Sequence, residues 1–90
     1  MRRVVWTREA RANLEAIRTY IGEFNPLAAQ RIAVRLIIAA ESLAGMPDRG
    51  RRVRGALREL VVVRPYIIRY DVEYDAIQIR RIRHGAQLPD

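Results

Sequence analysis

Apolar positions along the chain fall into a short β-like run, two helical stripes and three further strand-like runs. Val4-Val5-Trp6 reads as a short first strand, and Thr7 is a good helix N-cap behind it. Ala10, Leu14, Ile17, Ile21 and Phe24 then follow at spacings of four, three, four and three, the stripe of a helix with one buried face. Arg8, Arg11, Glu15, Arg18 and Glu23 take its other side. Asn25-Pro26 ends that helix and starts another, because Asn caps well and Pro is tolerated at the first helical position. Ala28, Ala29, Ile32, Ala33, Leu36, Ile37, Ala40 and Leu43 outline the second helix, whose small residues suit close approach as an antiparallel hairpin. Val34 and Ile38 widen its apolar face beyond what one helix and one sheet readily cover. Either the helix is fully buried, or part of that face is a protein-binding groove.

Gly45 fits a helix C-cap and Pro47 prevents continuation, so residues 45–56 are expected to form a loop rich in Gly and Arg. Leu57–Val63 is apolar and β-branched, Arg64-Pro65 marks a tight connection, and Tyr66–Val72 is the next strand. Glu73-Tyr74-Asp75 makes a turn, and Ile77, Ile79 and Ile82 define a last strand whose phase slips. A bulge at Arg80-Arg81, or burial of both faces, accounts for the slip. The tail Gly85–Asp90 is expected to be irregular. The order β-α-α-β-β-β is that of an α+β domain: a helical hairpin packed on one face of a small, mostly antiparallel sheet, with residues 1–90 as one domain.

Composition narrows the function classes. Ninety residues are too few for two independent cores, and the apolar half of the chain is enough to pack one. No apolar run approaches the ~20 residues of a membrane span, and no apolar h-region follows Arg2-Arg3, so a cytoplasmic protein away from the membrane is expected. The absence of cysteine excludes disulfides, thiol nucleophiles and thiolate metal sites, and one histidine cannot build a histidine cluster, so neither metal nor cofactor is expected. Seventeen basic residues, all arginine, face ten acidic ones for a net charge of +7. Residues 49–90 carry +5 of it, from ten arginines and five acids. Such asymmetry points to an anionic partner, nucleic acid or acidic protein.

Arg49, Arg51, Arg52, Arg54 and Arg58 form the densest cluster, with no acid among residues 49–58. On a mobile loop they would suit backbone phosphates, or meet an acidic partner chain, or merely be solvated. A second basic group, Arg80, Arg81 and Arg83, leads into His84, the one side chain with an ordinary pKa near neutrality. His84 could serve as a general acid or base with Arg58 and Arg81 on a phosphorane-like transition state, or it could be structural. Ser42 is the single serine and lies within a helix, and Gly45, Gly50 and Gly55 match no phosphate-binding loop. Tyr66, Tyr70 and Tyr74 fit strand and turn packing, with an aromatic RNA-reading sheet as the alternative.

Several segments together resemble a known family: Trp6-Thr7 leading into Ala10 and Leu14-Glu15-Ala16-Ile17, Pro47-Asp48-Arg49-Gly50-Arg51, Arg58-Glu59-Leu60, Pro65-Tyr66-Ile67-Ile68-Arg69-Tyr70 and Arg81-Ile82-Arg83-His84-Gly85-Ala86-Gln87. Over nearly the whole chain the ordered set is similar to the ParE branch of the RelE/ParE toxins of type II toxin–antitoxin pairs. The resemblance implies a small cytosolic toxin wrapped by the C-terminal segment of an acidic, partly disordered antitoxin, which alone contacts operator DNA. Ile32, Leu36, Ile37 and Ala40 are the expected antitoxin contacts. RelE-like members cleave mRNA on the ribosome, whereas ParE-like members poison DNA gyrase. Arg58 matches a basic position of the nucleases, and His84 resembles the terminal histidine of the YoeB-like ones, but two further basic positions are Leu60 and Ile67 here. The resemblance therefore implies a gyrase poison, with Arg49, Arg51, Arg52, Arg54, Arg58, Arg69, Arg80, Arg81 and Arg83 as target-binding candidates and the C-terminal tail taking part. The alternatives are an mRNA endonuclease using Arg58, Arg81 and His84, or a non-toxic co-repressor partner.

Overall fold

The computed structural model describes residues 1–86. Strand β1 (Arg3–Trp6) leads into helix α1 (Arg8–Gly22), and α2 (Pro26–Glu41) follows and runs into a short 3-10 turn, Ser42–Ala44. Four strands complete the chain: β2 (Arg51–Arg54), β3 (Leu57–Val63), β4 (Tyr66–Val72) and β5 (Ala76–His84). The sheet order is β1-β5-β4-β3-β2, antiparallel except where β1 lies parallel to β5. The expected α+β arrangement is thus observed, with one strand more. Arg51–Arg54 was expected to be loop; it is an edge strand held by backbone pairing to β3, where no apolar alternation is needed. Gly55 turns the chain between them at a φ of +52, a conformation that favours glycine. Among the described residues, no helix is long and apolar enough to cross a membrane.

Both helix starts follow their caps. The Thr7 hydroxyl accepts from Ala10 N at 3.1 Å, and Asn25 Oδ1 accepts from Ala28 N at 3.0 Å with Pro26 at the first helical position. Gly45 closes the 3-10 turn with ordinary right-handed geometry rather than capping α2. Ala10, Leu14 and Ile17 of α1 pack on the core, but Phe24 lies past the helix end, 76% exposed, edge-on to Tyr20 at 5.5 Å. The helices approach closely because small residues meet: a Cβ on Gly22 would stand 3.7 Å from that of Ala29.

The core lies between the hairpin and one sheet face, where Leu36, Leu43, Leu60, Ile68, Tyr70, Ile77 and Ile79 are buried. Two expected antitoxin contacts belong to it. Leu36 and Ala40, both 0% exposed, point at the sheet and present nothing to a partner, and Ile32 packs against the same core. Of the four, Ile37 alone is exposed; the outer side of α2 carries it with Leu27, Val34 and Ile38. The phase slip in the last strand is a bulge. Arg69 pairs with Arg81 and Tyr70 with Ile79, so Arg80 is the extra residue. Because β1 covers only Ala76–Ile79, the α1 cap and an α1 side chain continue along that edge of β5: Thr7 Oγ1 donates to the Ile79 carbonyl, and Asn13 Oδ1 accepts from Ile82 N. Gly85 and Ala86 form a turn, and the rest of the tail, 87–90, including Gln87, lies outside the described residues.

Candidate binding face

Strand alternation sends Leu60, Ile68, Tyr70 and Ile82 to the helices and Glu59, Arg69 and Arg83 to the opposite face of the sheet. Glu59 is the centre of that face. Its carboxylate is buried, 3% exposed for the residue, beneath arginines from three strands. Oε1 accepts from Arg51 Nη2 at 2.8 Å. Oε2 accepts from Arg69 Nε and Nη2 at 3.1 and 2.9 Å and lies 3.5 Å from Arg83 Nη2. Burial pushes the Glu59 carboxyl up; the hydrogen bond from Arg69 and the charges of Arg69, Arg83 and Arg51 outweigh it and hold the group below its ordinary range. Arg69 and Arg83, expected on an exposed surface, are therefore largely covered members of an ion-pair network.

Beside this cluster lies a concavity of about 550 Å³ lined by Glu9, Arg54, Arg69, Asp71, Arg80 and Arg81. Arg80 meets Asp71 at 3.0 Å, and Arg81 Nε stands 3.6 Å from Glu9. Five of the nine candidate arginines thus come from different places in the chain to one side of the sheet: Arg51, Arg69, Arg80, Arg81 and Arg83, with Arg54 at the rim.

Arg49, Arg52 and Arg58 do otherwise. The segment before β2, expected to be mobile, is clamped. Tyr70 donates its hydroxyl to the Pro47 carbonyl at 2.8 Å and accepts from Gly50 N at 2.9 Å, while Arg58 Nη1 donates to the Gly50 carbonyl at 2.7 Å. Burial pushes the Tyr70 hydroxyl up, keeping it a neutral donor. Arg58 pairs in register with Tyr70 and so sits on the helix side, away from Arg69 and Arg81. Arg49 donates to Ser42 Oγ, and Arg52 to the Gly55 carbonyl.

His84 ends β5, its ring edge-on to Tyr66 at 5.7 Å, with Nδ1 accepting from Ala86 N at 3.0 Å. With Nδ1 accepting, the neutral ring carries its proton on Nε2. His84 and Arg81 line one cavity of about 240 Å³ together with Asn13, Ile17, Tyr20 and Tyr66. The structure therefore brings Arg81 and His84 to one cavity, while Arg58 lies on the opposite face from Arg81 and pairs four residues along β4, about 13 Å at ~3.3 Å per residue, from the Tyr66 that pairs with His84. Among the described residues, no three of His, Asp and Glu converge as cation ligands.

Sequence reading missed Glu59 and the clamp residue Tyr70. The available signal was a carboxylate inside the apolar strand Leu57–Val63, which is seldom buried without a cationic partner.

A family model described as "ParE toxin of type II toxin-antitoxin system, parDE" matches residues 4–89. "Toxin RelE2" of Caulobacter vibrioides is 60% identical over 88 residues, covering 98% of this chain and 100% of that protein. "Putative toxin Y4kP" of Sinorhizobium fredii is 38% identical over 88 residues, covering 96% and 91%. A solved chain of the "Chromosomal ParDE TA system from P. aeruginosa" superposes with a TM-score of 0.81 at 27% identity, covering 93% of this chain and 96% of that one.

Proposed function

The chain belongs to the ParE toxin family of type II toxin–antitoxin systems, and from that premise we propose that it poisons DNA gyrase through the basic sheet face and performs no chemistry of its own. The observation that carries this reading is the placement of Arg58. A metal-free nuclease needs its cations and its acid or base around one phosphate. Arg58 is spent on the Gly50 carbonyl, on the other face of the sheet from Arg69. The arginines that do converge surround a carboxylate, an arrangement that suits a fixed binding surface. The target is met in the cytoplasm. The antitoxin, an acidic segment that folds on binding, occupies the outer side of α2, where Leu27, Val34 and Ile38 alternate with Arg31 and Arg35. Operator DNA is reached through the antitoxin.

Purified toxin at micromolar concentration is expected to inhibit supercoiling and to accumulate cleaved DNA on gyrase. Unchanged supercoiling and cleavage would sink the reading. The cavity shared by Arg81 and His84 favours a second one, ribosome-dependent mRNA cleavage, as do the RelE names of relatives. On that reading the double substitution Arg81→Ala, His84→Ala abolishes toxicity and spares antitoxin affinity; on the gyrase reading His84→Ala alone leaves toxicity within about threefold.

A further inference from the structure

Glu59 is a carboxylate on a sheet face that carries no helix, yet its side chain is only 2% exposed. What covers it are the arginines themselves. Arg51 comes from β2, Arg69 from β4 and Arg83 from β5, and all three guanidinium groups stand within 3.5 Å of its two oxygens. Without the carboxylate, three like charges would face one another across neighbouring strands and swing apart into solvent. With it, long side chains that ordinarily hold much rotamer freedom have one arrangement before any partner arrives, so binding does not have to order them. Arg51 shows what this achieves: its guanidinium is tethered at 2.8 Å, yet its side chain is 70% exposed.

We propose that Glu59 is the positioning residue of this face, presetting the arginine platform and above all the exposed arm of Arg51 for contact with the toxin's target. The inference rests on the reading of the basic face as the target-binding surface. It makes Glu59 act through arginines rather than touch the target, and it assigns Arg51 as the contact residue.

The test uses the full chain, with Glu59→Gln, Arg51→Gln and the double variant each purified from co-expression with the antitoxin. Three readouts are taken: thermal melting, antitoxin affinity, and loss of colony-forming units on induction without the antitoxin. Glu59→Gln is expected to reduce killing at least tenfold while antitoxin affinity stays within threefold. Arg51→Gln, at an exposed side chain, is expected to do the same with unchanged melting, and the double variant to be no worse than the weaker single, because both act through one contact. Should Glu59→Gln fail to fold, Arg51→Gln decides alone. Killing within threefold of wild type in a folded Glu59→Gln or in Arg51→Gln overturns the proposal, and so do losses that multiply in the double variant. Killing does not presuppose the target. A wild type that kills without affecting gyrase refutes gyrase as target and leaves the role of Glu59 to be decided by these variants; a wild type that does not kill refutes both.

Discussion

Gly50 and Glu59 show how much of this protein's basic half depends on single contacts. A Cβ on Gly50 would lie 2.7 Å from both the Glu59 carbonyl oxygen and the Tyr70 hydroxyl, and the carbonyl belongs to a paired strand that cannot retreat. Gly50→Ala is expected to cost about 1–3 kcal/mol in urea denaturation, in the range of overpacked interiors. It should also loosen the clamp that delivers Arg51 to Glu59. The acid dependence of stability follows from Glu59 itself. Its carboxyl is held below the ordinary 4.5 in the folded chain, so the unfolded chain binds the proton more readily. The stabilisation is complete at neutral pH and is lost as the pH falls below about 4.5 and through the folded value. The urea midpoint of the wild type should therefore drop between pH 5 and 3 more steeply than that of Glu59→Gln, when the variant is purified folded. Parallel curves would show that the Glu59 network contributes nothing to acid sensitivity.

Helix α2 has a wide apolar face, one part buried against the sheet and another exposed between Arg31 and Arg35. Leu36 is fully buried against the sheet, whereas Ile38, two residues on, is 62% exposed. Leu36→Ala is expected to lose about 2–5 kcal/mol of stability through the cavity it leaves. Ile38→Ala should stay within about 0.5 kcal/mol, as for other exposed positions. Antitoxin affinity is expected to respond to Ile38→Ala, measured by calorimetry on folded toxin, and a null result there would remove the outer side of α2 from the antitoxin interface. Helical periodicity announces a wide apolar face but is silent on which sector meets the sheet. Candidates spaced along the inner stripe, Leu36 and Ala40, consequently proved to be core. The same limit applies to β2. Arg51–Arg54 has no hydrophobic alternation because an edge strand exposed on both faces needs none, and its pairing with β3 leaves no mark on composition.

At the scale of the whole molecule, the net charge is +7, and two of the places that carry arginines are the platform on the sheet and the flanks of the apolar side of α2. If an acidic antitoxin docks on α2, reversing Arg31 and Arg35 to glutamate together should slow association at least tenfold at low ionic strength and much less at high salt, read by stopped flow. An association rate unmoved by the reversal would place the antitoxin elsewhere. Element order apart from β2, the caps at Thr7 and Asn25-Pro26, a phase slip at Arg80-Arg81 with a bulge as one of its two explanations, and the basic bias of residues 49–90 were legible in the chain, as was its ParE-like character. Each of these depends on residues a few positions apart, or on a sum over residues, and needs no knowledge of distant neighbours. The partners of Glu59 were not legible: they lie 8, 10 and 24 residues away (59 − 51, 69 − 59 and 83 − 59), on strands whose adjacency and register arise only when the sheet assembles. Nor was the separation of Arg58 from Arg81, which lie on opposite faces of the sheet, because side-chain alternation assigns faces only after register is set, and a register is a property of two strands at once.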